Sequence, residues 1–483
     1  MASLTTKTKR EQLLLQAEAA IILRKREARK DFWAFCMYMD PKFFSRRPFL
    51  KLVALAFMRI FVAFSSKIIR RLAVSMPPRA GKSYISSLFI AWMLGHFPEE
   101  SVMRNSCSST LYNKLSYDTR DIVRSRRYQE IFADIKLKGD KQNVNGWNME
   151  KSKQVGYFGG GVGGTVIGFG ASMLAVTDDL YKSLEDALSD NNNEKTWSWK
   201  QGTHDSRIEG NCCSIDIGTR WSEKDVLGRL EEMGKYDEII RIPALDANDE
   251  SFCEDVHTTE YYRELRSETE ESIWEAEYMQ NPIEAKGLLF PKSELLRFKR
   301  SELQGFVGTI GACDVADEGA DYFSGPIGNV AGDKVYITDV LFTKDPVEVT
   351  MPRFAQMIID ASCDLMRIES NNGGKTFALG VRGILKEERF TKCEVQARPT
   401  TSHKETRILM KSGWIKKHCV FLDESEYEKG SDYWWFMKWL TSYMKEGDNE
   451  HDDAPDSLTI LAQLYDAYLE RNKPKRVAQG VGR

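Results

Sequence analysis

In the first half of the chain, apolar residues fall into two alternating patterns. Short runs of strand length lie at Leu72–Ser75, Val102–Ser106, Met173–Asp179 and Ser214–Trp221. Between them, apolar positions recur at helical spacing over Glu11–Tyr38, Leu50–Phe64, the stretch after Ser83, Ser109–Arg127 and from Leu184 onward. Strands separated by helices at crossover distance predict a parallel α/β sheet. The glycines 159–164, between Val155–Phe158 and Thr165–Phe169, read as a hairpin or mobile loop. Phe32, Trp33, Phe35 and Tyr38 suit core packing, with an adenine shelf as the other option.

From Phe306 the order changes. Strands near 306–314, 323–329 and 335–342, the last two joined at Ala331-Gly332-Asp333, predict an antiparallel meander. A helix near 347–362, a strand at 365–369, a helix from Lys375, a strand near 394–397 and terminal helices follow. This βββαβαβ order is the ribonuclease H-like one. Between the halves, Asp246–Glu284 turns acidic and polar and then helical, which reads as a linker or lid. The aromatic set Tyr433, Trp434, Trp435, Phe436 and Trp439 has helical spacing and suits a core better than a base-stacking platform.

Composition narrows the picture. A length of 483 residues predicts two or three domains. The net charge of −3 excludes a whole-protein basic field, so any nucleic-acid site has to be a local patch. Nine cysteines without a C-x-x-C pair read as buried thiols in a reducing compartment, with no zinc site. No secretion signal is read at the N-terminus, and Leu50–Phe64 is too short, and too charged, to span a bilayer. The tail 471–483 is basic and reads as a solvated end.

Candidate chemistry begins at Leu72–Ser87, LAVSMPPRAGKSYISS. A strand ending in a Pro/Gly turn that restarts as a helix has the form of a phosphate cradle. Gly81 would let backbone N–H groups approach an anion, Lys82 would neutralise the β- and γ-phosphates, and Ser83 would ligate Mg²⁺. Met76 stands where the full G-x-x-x-x-G-K-[ST] pattern has its first glycine, and A-G-K-S by itself is equally an ordinary strand-to-helix turn. MLAVTDD ends in Asp178-Asp179, one acid suited to a Mg²⁺ shell and one to an attacking water, or the pair is a helix N-cap. SIDIGTRW would end beside the loop, where Thr219 or Arg220 could sense a γ-phosphate. In the second half, Asp314 and Glu369 end strands, and Asp453 and Asp456 open the last helix three residues apart. Two-metal phosphodiester cleavage needs carboxylates from separate elements, whereas acids opening a helix also suit its macrodipole.

The ordered set MPPRAGKS, HFPE, MLAVTDD, DIGTRWSEKD and EAEYMQNP, over roughly 70–466, resembles the large terminase subunit of tailed bacteriophages, an ATP-driven DNA-packaging motor and nuclease. The resemblance implies a P-loop NTPase parallel-sheet domain (1–250), a linker or lid segment (251–290), and a ribonuclease H-like mixed-sheet nuclease domain with a basic tail (291–483). It implies Gly81, Lys82 and Ser83 as Walker A contacts and Arg79 facing the γ-phosphate. Asp178 becomes the metal acid, Asp179 the catalytic carboxylate at a place where many members carry glutamate, and Thr219 part of a coupling motif. Asp314, Glu369 and Asp456 become nuclease metal ligands with Asp453 auxiliary, and Asp317 and Asp321 are substitutes. The implied cofactors are ATP and Mg²⁺, with Mn²⁺ an option at the nuclease site. The implied partners are double-stranded DNA, a procapsid portal protein and a small terminase subunit, with a ring of five on the portal, no membrane, and a place in the host cytoplasm rather than the mature virion. A P-loop helicase-nuclease and a DNA-binding scaffold with an inactive nucleotide site are the other readings. Strand displacement marks the first and absent ATP turnover the second.

Overall fold

The computed structural model describes residues 2–143, 146–164, 168–283, 287–315, 321–371, 373–401, 403–447 and 449–472. Asp317 and the basic residues of the tail from 473 onward lie outside the described residues. The chain forms two units, Met1–Tyr262 with Ser272–Glu284, and Arg263–Glu271 with Ala285–Arg483.

In the first unit the strands are β1 (Arg71–Ser75), β2 (Val102–Ser106), β3 (Leu137–Asn143), β4 (Gly146–Met149), β5 (Tyr157–Gly161), β6 (Leu174–Asp178), β7 (Cys213–Gly218) and β8 (Glu238–Arg241). They form one sheet in the order β3-β4-β5-β2-β6-β7-β1-β8. From β5 across to β8 all pairings are parallel, and β3 and β4 add an antiparallel edge. β2, β6 and β7 are buried along their whole length, as strands covered by helices on both faces must be.

Two sequence readings change here. Gly159–Gly161 are not a hairpin or loop but belong to β5, inside the parallel ladder. Side chains do not fit at two of the three: a Cβ on Gly159 would stand 1.6 Å from the Arg104 carbonyl oxygen, and one on Gly161 2.5 Å from the Ser109 nitrogen, while one on Gly160 would meet nothing within 4 Å. Glu11–Tyr38 is two helices, Ala2–Lys30 and Phe32–Met39. Asp31 breaks them by taking extended backbone, where its carboxylate accepts the Ala34 N–H at 2.7 Å and caps the second helix. Phe32 and Phe35 are fully buried, Phe32 against Phe57, Phe89 and Trp92, so these rings are core and not an adenine shelf. Among the described residues no helix is long and apolar enough to cross a membrane. All nine cysteines are free.

In the second unit the strands are β9 (Leu296–Phe298), β10 (Gly308–Cys313), β11 (Phe323–Ala331), β12 (Lys334–Thr343), β13 (Leu365–Glu369), β14 (Glu394–Arg398) and β15 (Cys419–Leu422). The sheet runs β14-β13-β10-β11-β12-β15-β9. Only β11 is antiparallel to its neighbours, so the carboxyl ends of all the other strands share one edge. This is the ribonuclease H-like arrangement, a meander of β10–β12 extended through β13 and β14. Phe323, Phe354 and Phe377 meet in its core beneath the helices Val347–Asp360 and Gly374–Glu387. Tyr433 and Phe436 are core as read, while Trp434, Trp435 and Trp439 are half-buried. Residues 263–271 belong to this unit, where Glu268 accepts from Lys417 Nζ at 2.9 Å and Glu270 pairs with Lys445 at 2.8 Å.

Candidate functional sites

The phosphate-loop candidate follows β1. The chain turns through Arg79 (φ +63°) and Gly81 (φ +104°) into the helix Lys82–His96, and a Cβ on Gly81 would come 2.9 Å from the Phe43 ring. Met76 takes the place of the missing glycine because only its backbone is used. Its N–H donates to the Gly218 oxygen at 3.3 Å, its carbonyl accepts from Lys82 Nζ at 3.0 Å, and its side chain is buried. Lys82 Nζ also donates to Thr219 Oγ1 at 2.5 Å and lies 4.0 Å from Asp179. Ser83 Oγ donates to Asp178 Oδ1 at 2.8 Å. β7 separates β1 from β6, so Thr219, just past its end, stands between the lysine and the acid pair, and its N–H donates to Asp179 Oδ1 at 3.1 Å.

Of the sequence candidates, Gly81, Lys82, Ser83, Asp178, Asp179 and Thr219 are therefore gathered at one place. Arg79 is exposed at the turn. Arg220 is not available to sense a phosphate: its Nε donates to both Asp225 oxygens at 3.0 and 3.1 Å, and it pairs with Glu231 at 3.4 Å. Burial raises the Asp179 carboxyl, with Lys82 opposing. Glu277, unnoticed in the sequence, is pushed up to about 7 by burial, again against Lys82.

Arg104 was also missed. It stands in β2, fully buried, and its guanidinium pairs with Asp178 Oδ2 while donating to the Ser83 carbonyl at 3.1 Å and Ser87 Oγ at 2.7 Å. The available signal was a charged residue inside a strand buried on both faces. Arg104→Met leaves Asp178 as a buried, unpaired carboxylate. It is expected to destabilise the first unit by about 3–5 kcal/mol, read as a lowered urea midpoint. An unchanged midpoint would show that Asp178 finds another partner.

In the second unit, Asp314 follows β10, Glu369 ends β13, and Asp456 lies in the first turn of the helix Asp453–Asn472. One ligand oxygen from each lies within 4.8 Å of the others, a donor set that fits hard divalent cations. Asp453 does not join that group. Its Oδ2 accepts the Tyr322 N–H at 3.1 Å and its Oδ1 accepts from Lys404 at 3.3 Å, so it fixes the rim of the site.

Two cations from the helix Lys404–His418 face these acids, and both were missed in the sequence. Lys404 Nζ lies 3.3 Å from Asp314, 2.7 Å from Asp452 and 3.8 Å from Asp456. Arg407 holds both Asp456 oxygens, its Nε donating to Oδ1 at 2.8 Å and its Nη2 to Oδ2, and it reaches Glu369 at 4.0 Å. Their three-residue spacing at a helix start was the only trace. Asn371 Nδ2 donates to Glu369 Oε1 at 3.1 Å. Burial raises Asp314 well above the carboxylate range, with Lys404 opposing and Asp456, Glu369 and Asp453 adding to it. Burial raises Asp456 too, against Arg407 and Lys404.

A unit cation 4 Å from a carboxylate is worth on the order of 4 kcal/mol at an effective dielectric of about 20, and a third of that is about tenfold in affinity. Lys404→Ala is therefore expected to lower the Mn²⁺ concentration that half-saturates the site about tenfold, read by Mn²⁺ electron paramagnetic resonance. Equal affinity would mean that the ammonium and the ion do not compete.

Residues 313–418 match the family model described as Terminase Bacteriophage T7, Ribonuclease H-like domain. That segment carries Asp314, Glu369, Lys404 and Arg407, and the match agrees with the resemblance to a large terminase subunit. No curated protein matches the chain in sequence. Among solved structures, the chain is similar to the large terminase from a thermophilic bacteriophage, with 10% identity, 84% of this chain and 98% of that one covered, and a TM-score of 0.48. A structure of that terminase in complex with ATP-gamma-S gives 10% identity, the same coverages and a TM-score of 0.45. The human cytomegalovirus terminase nuclease domain, Mn soaked, gives 10% identity over 35% of this chain and 89% of that one, with a TM-score of 0.28.

Proposed function

We propose that the chain is the large subunit of a viral DNA-packaging motor, with an ATPase in its first unit and a metal-dependent endodeoxyribonuclease in its second. The observation that carries this reading is the pairing, in one chain, of a Gly81-Lys82-Ser83 loop beside an acid pair with a three-carboxylate cluster on a ribonuclease H-like sheet.

In the first unit, Lys82 would leave Met76 and Thr219 to bind β- and γ-phosphate oxygens, Ser83 and Asp178 would hold Mg²⁺, and Asp179 would orient the attacking water. Thr219 contacts both Lys82 and Asp179, so it would register whether the lysine is occupied. Arg79, exposed at the turn, is the residue of this chain best placed to meet the γ-phosphate. In the second unit, Asp314, Glu369 and Asp456 would hold divalent ions, which when bound supply a polarised phosphodiester and an activated water. Arg407 fixes the orientation of Asp456, Asn371 that of Glu369, and Asp453 anchors the strand at Tyr322. The reading extends to double-stranded DNA as the translocated substrate, a portal protein and small terminase subunit as partners, a ring of five, and action in the host cytoplasm.

The test is to incubate the full chain with supercoiled plasmid, ATP and Mg²⁺ or Mn²⁺, following cutting and phosphate release together. Metal-dependent cutting and phosphate release, both stopped by EDTA, are expected. Cutting that survives EDTA would overturn the nuclease assignment.

A further inference from the structure

The aromatic helix Asp432–Ser442 lines a recess that the proposed chemistry does not use. The cavity is about 400 Å³, within the range of small-ligand sites. Its wall combines the rings of Trp434 and Tyr427 with Lys292, Arg297, Lys429 and Lys438, over Met437. The single carboxylate there, Glu424, is already paired with Lys292 at 2.8 Å. Among the described residues Lys429 and Lys438 form no ion pair with a carboxylate, while Arg297 Nη1 donates to the Leu422 carbonyl at 3.0 Å. Lys438 Nζ instead lies over indole rings, 4.5 Å from the Trp435 centre and 5.8 Å from that of Trp434.

The helix that lines the recess also touches the surroundings of the carboxylate cluster. On the same helix Trp439 packs on His451 at 4.5 Å and on Tyr322 at 6.4 Å, and Tyr322 donates its N–H to Asp453. Glu424 and Tyr427 follow β15, whose carboxyl end shares an edge with that of β10, where Asp314 stands. Three strand spacings separate β10 from β15, about 14 Å at about 4.8 Å each. About four stacked nucleotides of one strand, at about 3.4 Å apiece, cover that span.

Rings next to unpaired cations are the chemistry that binds single strands, because an unstacked base offers a π-face and its backbone offers charge. An intact duplex keeps its base faces covered. We propose that this recess takes an unpaired nucleotide of a DNA strand, its base on Trp434 and its phosphates on Lys429 and Lys438, a few nucleotides from the bond that the carboxylate cluster addresses. The proposal rests on the reading of DNA as the second unit's substrate. It predicts a protein that prefers frayed or overhanging ends to blunt ones.

The test uses the full chain carrying Asp314→Asn, in EDTA so that no DNA is cut. Fluorescence anisotropy compares a labelled blunt duplex with the same duplex bearing a short single-stranded overhang. The overhang is expected to bind about tenfold tighter, as stacking one base allows. Trp434→Ala should erase that preference and leave blunt binding unchanged, Trp434→Phe should keep most of it, and Lys438→Ala should reduce it. Circular dichroism melting identifies any variant that fails to fold, and Lys438→Ala, at an exposed position, then carries the test. Equal affinity for both duplexes, or a preference that survives Trp434→Ala, overturns the proposal while leaving the DNA reading in place. Binding of neither duplex at low salt overturns both. ATP binding that persists in Lys82→Ala and disappears on adding Trp434→Ala would give the recess to a free nucleotide and overturn the strand assignment.

Discussion

Asp314→Asn is expected to lower metal-dependent plasmid cutting about a thousandfold or more, the scale on which enzymes lose a group that acts in the transition state, with ATP hydrolysis unchanged. Asp314 follows β10, the neighbour of the strand that ends in Glu369, and its oxygen lies within 4.8 Å of ligand oxygens from both Glu369 and Asp456. Asparagine keeps the shape but not the charge that holds a divalent ion. Folding gives an independent check. The folded-state pKa of Asp314 is raised, so its stabilising contribution is complete below the unfolded value and is lost as pH rises through the folded one. In metal-free buffer the buried charge opposes folding as pH rises, and Asp314→Asn should melt no lower than the unsubstituted protein. Cutting that persists would remove Asp314 from the ligand set and turn attention to Asp321. Loss of both activities in a folded variant would refute separate sites.

Lys82→Ala should do the reverse, reducing ATP hydrolysis about a thousandfold while plasmid cutting continues. The ammonium is buried and held by Met76, Thr219 and, at 4.0 Å, Asp179, so it is placed before any nucleotide arrives. Its removal takes away the cation that keeps burial from raising Asp179 further, so the loop would lose phosphate affinity and the acid would lose charge together. A thermal shift with ATP separates the two contributions. A variant that still binds but does not hydrolyse has lost mainly the acid, and one with no shift has lost the phosphate contact. Hydrolysis at the original rate in Lys82→Ala would place the ATPase elsewhere.

The sequence was most readable where one period ruled. The strands carrying Ser75, Asp178 and Gly218 are short and almost wholly buried, and Asp178 stands out as the acid that ends one of them. The βββαβαβ order was likewise visible from the strand-length runs of β10–β12 and the Ala331-Gly332-Asp333 turn. What stayed hidden depends on partners distant in sequence. Arg104 looks like an interruption in VMRNS until Asp178, 74 residues away, is seen to need it. Lys404 and Arg407 look like ordinary helix charges until the fold sets them against acids 49 residues on. Gly159–Gly161 look like loop residues because glycine usually is one, and only the close backbone of Arg104 at Gly159 and of Ser108 and Ser109 at Gly161 shows why the strand carries glycine there. Arg220 shows the opposite error: it sits next to Thr219 in sequence, yet Asp225 turns it away.

The path of the chain between its units bears on how the protein can be taken apart. Residues 263–271 belong to the second unit and 272–284 return to the first, so the polypeptide passes from one to the other three times before residue 286. A fragment ending at 262 would lack Gln280, whose Oε1 accepts the Arg220 N–H at 3.1 Å, and Tyr278, whose carbonyl accepts the Ala244 N–H at 2.8 Å. A fragment beginning at 285 would lack the Glu268 carboxylate that meets Lys417 and His418. No single scission, by protease or by cloning, yields two whole halves. Separating the engines calls for point substitutions, or for a permuted chain that carries each borrowed segment back to its owner.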